Sequence, residues 1–313
     1  MKKFYLLLFA IGFQTLLFAQ KFNNINKAPG DTLYYEDFAN QIPSGWRVVN
    51  LAANNNNWIW SNTAPGGQYS SNVPALSSTT ASNGYMSLPA DLYNTPFPPG
   101  GPVSMDTYFV SDAISIPSSV LDWILEFEHF QRYCCLGSNE LVAEVSNDSI
   151  NWKTIDATGP RNAKRDPNTF TPNGEVLRFI VSDTLGGQSQ AWIRFRSTGN
   201  SHYFWMIDDV KLIEGNPNAI QIVDAEPVFS RNHLINPIYS QVPQFLMQPM
   251  EFDFEFFNAG SSNQNGLTGY VDIYHDSTMN GQVGAGWRYA ASQISNTPLF
   301  PSLSNEFLTV DNP

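Results

Sequence analysis

The sequence predicts an all-β protein built from many short strands. Short runs of alternating apolar and polar residues recur along the chain, and turn residues separate them. No amphipathic run with a helical period is longer than about ten residues. The composition agrees, because aromatic residues are plentiful at 14% and charged residues make up only 14% of the chain. Average domains contain roughly 25% charged residues.

The first 19 residues have the pattern of a signal peptide. Lys2 and Lys3 form a basic start, residues 4–13 are apolar, and Ala19 offers a small residue for cleavage. The apolar part is too short to span a bilayer comfortably, and no later stretch reaches transmembrane length. We therefore expect an exported protein, secreted or held at the cell surface, with an export machinery among its partners.

A first unit is expected at residues 34–215, after a linker at residues 20–33. The strand TLYYEDF opens it, and GWRVVNL follows after a Pro/Gly turn. A long polar region with few strands comes next. Clear strands then resume as DTYFVSDAISI, DWILEFEHFQRY, ELVAEVSNDSINWKTI, EVLRFIVSD and QAWIRFRS. The turn NDSIN lies between two alternating runs and predicts a β-hairpin.

A second unit is expected at residues 220–313, after a short linker at residues 216–219. In the run MEFDFEFFNAG, phenylalanines occupy one face and acids occupy the other. Such strands suit an immunoglobulin-like β-sandwich, which needs about seven strands. Only four or five strands can be counted, so we expect this domain to be incomplete, or only just complete, and the gene product to continue beyond Pro313.

The net charge of −12 argues against nucleic acid or an anionic membrane as a partner. The two cysteines, Cys134 and Cys135, are adjacent. In an oxidising compartment they would form a strained ring or a bridge to another chain, and otherwise they would be two buried thiols.

The sequence carries no recognisable catalytic motif. His-Glu-x-x-His, Gly-x-Ser-x-Gly and Walker patterns are all missing from it. No histidine signature accompanies the cysteine pair, as a thiol nucleophile would require. We therefore expect a protein that is not an enzyme within these residues.

Three motifs in the first unit resemble a known family. YYEDFANQIPSGWRVVNLAANNNNWIW, EVSNDSINWKTI and AWIRFRSTGNSHYFWMIDDVKL occur in this order. They are similar to the entry motif, the hairpin and the closing signature of cleaved-adhesin and "choice-of-anchor" domains, which are relatives of the MAM domain. The resemblance implies a two-sheet jelly roll. The predicted fold class is therefore a jelly-roll β-sandwich followed by an immunoglobulin-like β-sandwich.

The same resemblance implies a structural calcium ion. In the family, the N- and C-terminal strands lie side by side, and acids from both ends are similar to calcium ligands. Calcium takes six to eight oxygen ligands, including carboxylates. The residues implied as ligands are Glu36, Asp37, Asn54, Asn56, Asp208 and Asp209. The polar loop LAANNNNW departs from the family because it offers neutral Asn where Asp and Gly are usual, which predicts weaker calcium binding or none.

The adjacent pair Asp208 and Asp209 also has a simpler interpretation. Neighbouring side chains of a strand point to opposite faces, so one of these carboxylates should lie at or near the core. Without calcium, it would accept backbone N–H bonds or pair with Arg194 or Arg196.

Among the eight tryptophans, Trp58 and Trp60 lie beside the polar loop. Aromatic rings can pack on apolar faces of ligands, so these two are predicted to contact a ligand. The other tryptophans within the motifs are better explained as core residues.

The sequence therefore predicts a secreted or cell-surface adhesin-like module that binds a glycan or protein ligand. Similar architectures are often cargo of type IX secretion. An alternative is the accessory region of a larger secreted hydrolase, commonly a peptidase, whose catalytic domain lies outside this chain. A third interpretation is a purely structural spacer in a surface fibre.

Overall fold

A computed structural model describes residues 30–133, 139–157, 168–199, 202–229, 250–264, 271–274, 286–289 and 305–310, apart from 53, 97, 100 and 102. The predicted signal peptide (1–19), most of the linker at 20–33 and the cysteine pair lie outside the described residues.

The first unit consists of twelve strands and three short helical turns in its described residues. The strands are β1 (Thr32–Glu36), β2 (Trp46–Asn50), β3 (Ile59–Ser61), β4 (Tyr85–Leu88), β5 (Met105–Ser111), β6 (Ile114–Ser115), β7 (Trp123–Arg132), β8 (Asn139–Ser146), β9 (Lys153–Asp156), β10 (Glu175–Ile180), β11 (Gln190–Gly199) and β12 (Phe204–Glu214). The helical turns are a 3₁₀ turn (Ala81–Asn83), α1 (Ala90–Tyr93) and α2 (Ser182–Leu185). No helix in the described part of the chain has the length and apolar character needed to cross a membrane.

The strands form two antiparallel sheets. The first sheet has the order β10-β7-β12-β4-β3, with β1 also paired to β12, and the second has the order β2-β5-β11-β8-β9, with β6 paired to β11. The predicted all-β sandwich is confirmed. The expected meeting of the chain's first and last strands in this unit is also found, because Glu36 of β1 lies opposite Val210 of β12.

The main core lies between the two sheets and is rich in aromatic side chains. Phe109 stacks on Phe195 with ring centroids 5.0 Å apart. Trp58 meets Phe109 edge-on at 4.7 Å and Trp205 at 5.4 Å. Such ring pairs stabilise a core beyond their buried area, so this cluster fixes how the two sheets face each other.

The predicted hairpin is confirmed between β8 and β9, where Val145 lies opposite Lys153. Its turn is held by Asp148, whose carboxylate accepts the backbone N–H groups of Ile150 and Asn151 at 2.8 and 2.7 Å. These bonds favour the ionised acid and lower the pKa of Asp148.

A smaller core lies on the opposite face of the first sheet. Along β7, Leu125 and Phe127 point into the main core, whereas Phe130 points to this other face. Residues 62–84, here called the covering segment, pack over it. Val73 and Leu76 of this segment meet Phe130 and three further buried side chains, which are Tyr85, Phe204 and Met206. The polar region of the sequence thus folds back onto its own sheet.

Beyond the first unit, the described residues contain strands β13 (Ile220–Phe229), β14 (Met250–Asn258), β15 (Val271–Tyr274), β16 (Gly286–Tyr289) and β17 (Asn305–Val310). They form one sheet of order β13-β14-β17 and a separate β15-β16 pair. The immunoglobulin-like assignment of residues 220–313 stays a prediction.

Residues near the predicted linker at 216–219 make specific hydrogen bonds. The carboxylate of Asp122, which precedes β7, accepts the backbone N–H of Ser261 at 2.6 Å and its hydroxyl at 2.7 Å. The N–H of Gly260 donates to the carbonyl of Ala219 at 3.1 Å. Asp122 therefore bonds directly to the second unit, and the linker bonds to that unit through Ala219.

Candidate functional site

A β-bulge explains the two adjacent acids of β12. The pairing of β12 with β7 shifts register between Asp208 and Lys211, and Asp209 has a φ of 52°. Because the bulge breaks the alternation, Ile207 and Val210 both enter the main core. Both carboxylates are buried, each with 0% exposure.

The covering segment donates most of the hydrogen bonds that these acids receive. Ser78 donates its hydroxyl to Asp208 at 2.5 Å. Thr80 donates its backbone N–H to Asp209 at 3.1 Å, and its hydroxyl lies within hydrogen-bonding distance of both acids. The tip of the covering segment is thus tied to the bulge of β12.

A third acid joins this attachment. Glu128 of β7 lies opposite Asp208 in the sheet and accepts the backbone N–H and the hydroxyl of Thr79 at 2.8 and 2.6 Å. Burial raises the pKa of Asp208 to about 7, and the negative charge of Asp209 acts in the same direction. Hydrogen-bond donors therefore offset only part of the cost of burying Asp208.

The simpler interpretation of the acid pair is correct in one respect, because Asp209 accepts a backbone N–H. Its other half is wrong, since Arg194 and Arg196 pair elsewhere. Arg194 forms an ion pair with Glu144, and Arg196 forms one with Asp106 at 2.9 Å.

Tyr35 is close to both Asp37 and the acid pair. The Tyr35 hydroxyl donates to Asp209. Burial and this bond raise the pKa of Tyr35, and the charges of Asp209 and Asp37 raise it further. Asp37 also accepts the side-chain amide of Asn83 at 3.0 Å. Glu36 accepts the backbone N–H of Phe38 at 2.9 Å, and burial raises its pKa.

Asn54 and Asn56 belong to a separate loop network. The side chain of Asn50 donates to the carbonyls of both residues at 2.9 and 3.2 Å, and Asn54 donates to the carbonyl of Ser104 at 2.9 Å. No hydrogen bond among the described residues joins them to Asp208 or Asp209. Within that same part of the chain, no group of three or more His, Cys, Asp or Glu side chains is placed to hold a metal.

The two tryptophans expected to contact a ligand serve the fold. Trp58 is 1% exposed and lies in the main core, so no face of its ring is open to a ligand. Trp60 is partly buried and donates its indole N–H to the carbonyl of Phe38 at 2.8 Å. Its ring also packs on Gly84, where an added Cβ would lie 2.3 Å away.

A cleft lies between residues 68–74 of the covering segment and the side chains of Phe130 and Phe170. Its volume is about 400 Å³, and it has both aromatic and polar walls. The lining residues are Gln68, Tyr69, Ser71, Asn72, Val73, Pro74, Phe130 and Phe170. Tyr69 and Phe170 are 48% and 46% exposed. Isolated aromatic residues inside polar stretches, QYSSN and NTFTPN, were the only sequence signal for it.

Tyr69 is fixed by a buried acid. Its backbone N–H donates to the carboxylate of Asp91 at 2.6 Å, and Asp91 is fully buried. The Asp91 backbone N–H donates in turn to the carbonyl of Tyr203 at 2.7 Å. Gly67 passes so close that an added Cβ would lie 2.6 Å from the Asp91 side chain. The wall of the cleft is therefore held by Tyr203, the residue that precedes β12.

An aromatic series continues from Tyr69 along the rim. The Tyr69 ring meets His202 edge-on at 5.3 Å, and His202 stacks on Tyr203 at 4.3 Å. The backbone N–H of Tyr203 donates to Nδ1 of His202 at 2.9 Å. Burial lowers the pKa of His202. The imidazole extends the aromatic series as a stacking partner of Tyr203.

Phe170 is held from the other side by Arg132. The guanidinium lies 4.7 Å from the centroid of Phe170 and 3.8 Å from that of Tyr203, and its Nε donates to the carbonyl of Asn168 at 3.0 Å. Phe130 lies beneath, 6.0 Å from Phe170. One cation thus links the two sides of the aromatic rim.

No protein-family model matches the chain. Hemagglutinin A of Porphyromonas gingivalis is 24% identical over 199 residues, which cover 60% of this chain and 7% of that protein. Lys-gingipain W83 of the same organism is 22% identical over 193 residues, which cover 58% of this chain and 10% of that protein. The chain thus spans a tenth or less of the length of these relatives.

Among solved structures, the K1 cleaved adhesin domain of Lys-gingipain from P. gingivalis W83 is similar at 18% identity. The match covers 60% of this chain and 99% of that domain, with a TM-score of 0.36. The sequence similarity to Hemagglutinin A and Lys-gingipain confirms the resemblance to cleaved-adhesin domains that the motifs predict.

Proposed function

We propose that this chain is a secreted or cell-surface adhesin-like module that binds a glycan or protein ligand in the cleft between Tyr69 and Phe170. The observation that carries the proposal is the cleft itself. Its two rim rings are about half exposed, yet the buried Asp91 holds the backbone of Tyr69 and Arg132 packs on Phe170. Binding sites combine such apolar walls with a few polar groups. The similarity to Hemagglutinin A supports the same conclusion.

The chemistry of the cleft supports binding without catalysis. Its lining residues offer the hydroxyls of Ser71 and Tyr69 and the amides of Gln68 and Asn72. They include no carboxylate, imidazole or thiol that could activate Ser71 as a nucleophile. The acid with the raised pKa, Asp208, lies under the covering segment and is not part of the lining.

Calcium binding at the acid pair is a second part of the proposal. Oδ1 of the buried Asp208 has no hydrogen-bond partner among the described residues, and the side-chain atoms that bond to the acid pair, from Ser78, Thr80 and Tyr35, are all oxygens. Such a site fits calcium. Asp208 and Asp209 would hold the ion, whereas Glu36 and Asp37, which bond to Phe38 and Asn83, are left out. The ion would supply positive charge to the buried acids. Asn54 and Asn56 are engaged in their own loop and are left out of this proposal.

Export is the third part of the proposal, because the first 19 residues have the pattern of a signal peptide. We propose that the signal peptide is removed and that a type IX-like machinery takes the protein to the surface. Recovery of the protein from outside the cells with a mature N-terminus at Gln20 would support this. Retention of the first 19 residues on a cytoplasmic protein would exclude it.

The test of binding uses the mature chain on immobilised host glycoproteins and matrix proteins, with and without calcium. Tyr69→Ala and Phe170→Ala remove the rim rings. Ile150→Ala is the matched control, because Ile150 is 78% exposed in the hairpin turn between β8 and β9. We expect retention that the two rim variants lose and the control keeps. A mature chain that is retained on none of these surfaces would overturn the proposal.

The similarity to part of Lys-gingipain W83 favours one alternative, that this chain is an accessory region of a larger secreted hydrolase. The intact mass of the native protein separates the two functions. A much larger mass together with hydrolytic activity would support the accessory role. A mass equal to that of the mature chain would support the binding module alone.

A further inference from the structure

We infer that the Tyr69–Phe170 cleft selects a neutral pyranoside sugar, whose apolar ring face packs on the exposed aromatic rings and whose hydroxyls bond to Gln68, Ser71 and Asn72. This inference rests on the proposed function and assigns a chemical class to its ligand.

The size of the cleft suits a short piece of glycan. Its volume of about 400 Å³ lies at the lower end of the roughly 300–1,000 Å³ found for small-molecule sites. The apolar part of the lining includes Phe130, Val73 and Pro74, and the first two are buried. A sugar ring presents aliphatic C–H groups that can pack on such a wall and on the negatively polarised faces of aromatic rings.

The charge of the cleft selects against ionised ligands. None of its lining residues carries a formal charge. In the described part of the chain, Arg132 lies at the rim with its guanidinium over the rings of Phe170 and Tyr203 and its Nε donating to the carbonyl of Asn168. A carboxylate or sulfate on the ligand would therefore lose water without gaining an ion pair inside the cleft.

The polar groups of the cleft match hydroxyls in particular. An amide side chain offers both a carbonyl acceptor and N–H donors, and a serine hydroxyl acts as either. A sugar hydroxyl also both donates and accepts, so it can form hydrogen bonds with these side chains in either role. A proline-rich peptide, which also docks on aromatic grooves, offers carbonyl acceptors and lacks the N–H at proline. The mixture of Gln68, Ser71 and Asn72 therefore favours the sugar.

The rim rings are in place without the ligand. Asp91 fixes the backbone of Tyr69, and Arg132 packs on Phe170. Binding therefore loses little conformational entropy in the protein. A small entropic cost lets a ligand with limited apolar surface, such as a sugar, bind measurably.

The test begins with the mature chain on an array of neutral oligosaccharides of galactose, mannose, glucose and N-acetylglucosamine beside sialylated and sulfated glycans. Isothermal titration with the best-retained glycan follows, for the wild type, Tyr69→Phe, Tyr69→Ala, Phe170→Ala and Ile150→Ala. We expect neutral glycans to be retained. Both alanine variants should weaken the affinity about tenfold or more, a loss of about 1.4 kcal/mol. Tyr69→Phe, which keeps the ring, should lose less affinity than Tyr69→Ala, and Ile150→Ala should stay within about threefold.

Several results would overturn the sugar assignment. These are a preference for sialylated or sulfated glycans, competition by a proline-rich peptide, or neutral-glycan affinities that the alanine variants leave unchanged. Thermal unfolding of each variant ensures that a loss of affinity is not a loss of folding. Retention on glycoproteins that survives enzymatic removal of their glycans would overturn the sugar assignment alone. Absence of retention on every surface would overturn the proposed function as well.

Discussion

The carboxylate of Asp91 accepts the backbone N–H of Tyr69 at 2.6 Å beneath the cleft. Asp91 itself lies in the short helix α1 and is anchored to the start of β12 through the carbonyl of Tyr203. A single buried acid therefore joins the covering segment, a helical turn and the first sheet. The position of an exposed ring depends on a side chain that no ligand would touch.

Replacement of Asp91 should loosen the rim. In Asp91→Ala the N–H of Tyr69 loses its acceptor, and we expect a loss of stability of about 1–3 kcal/mol, as for a buried donor left without a partner. Asp91→Asn keeps the shape and an acceptor oxygen, so it should lose less. Urea unfolding measures the stability, and ligand affinity should fall in parallel. Unchanged stability in Asp91→Ala would contradict this role.

Substitution of Gly67 tests the close approach to Asp91. Gly67 has a φ of +105°, and an added Cβ would lie 2.6 Å from the Asp91 carboxyl carbon. Gly101 is the matched control, because its φ is +96° and nothing lies within 4 Å of an added Cβ. Both alanine variants carry backbone strain, but only Gly67→Ala adds overpacking of about 1–3 kcal/mol. Equal unfolding midpoints for the two variants would count against the packing described.

The pH dependence of stability reports on Asp208. Its pKa is raised to about 7 in the folded protein, compared with about 3.9 in an unfolded chain. Between these values the folded state holds the proton that the unfolded state has lost, so stability should fall as pH rises from about 4 to about 7. Each pKa unit corresponds to about 1.4 kcal/mol. The measurement is the free energy of unfolding in urea at several pH values, with a chelator present. Asp208→Asn should reduce its dependence on pH. Stability that rises through this window in the wild type, with no change in Asp208→Asn, would contradict the burial of this acid.

Calcium should stabilise the protein near neutral pH if the acid pair holds it. At a concentration 100 times the dissociation constant, the gain is about 2.7 kcal/mol. Asp208→Asn and Asp209→Asn should each lose most of this gain. Asp112→Asn is the control, because Asp112 is a well-exposed acid paired with Arg47. The melting temperature with and without calcium gives the result, and equal gains in all three variants would exclude this site.

The strands of the first unit could be predicted because their alternation is clear. β7 and β12 occur where the sequence indicates them. The bulge could not be predicted, since a single residue in a left-handed conformation leaves no periodic signal. Strict alternation therefore predicted one buried acid, whereas the register shift buries both Asp208 and Asp209.

The location of the cleft could not be predicted from the sequence either. Tyr69, Phe130 and Phe170 are far apart in the chain, and the covering segment brings them together only after it folds back onto the first sheet. Trp58 and Trp60 were predicted to contact a ligand because they lie beside a polar loop. Sequence alone does not tell which face of β3 or which side of the loop points inward.

The most direct test of the central claim is a hydrogen-exchange footprint of the mature protein with the glycan or glycoprotein that it retains best. If the ligand lies in the cleft, backbone exchange should slow at residues 68–74 and 168–171, next to the rim rings. The outer face of the second sheet, formed by β2, β5 and β11, should exchange as it does in the free protein. Protection confined to that second sheet, or to residues 220–229 and 250–264, would place the ligand elsewhere and contradict the account.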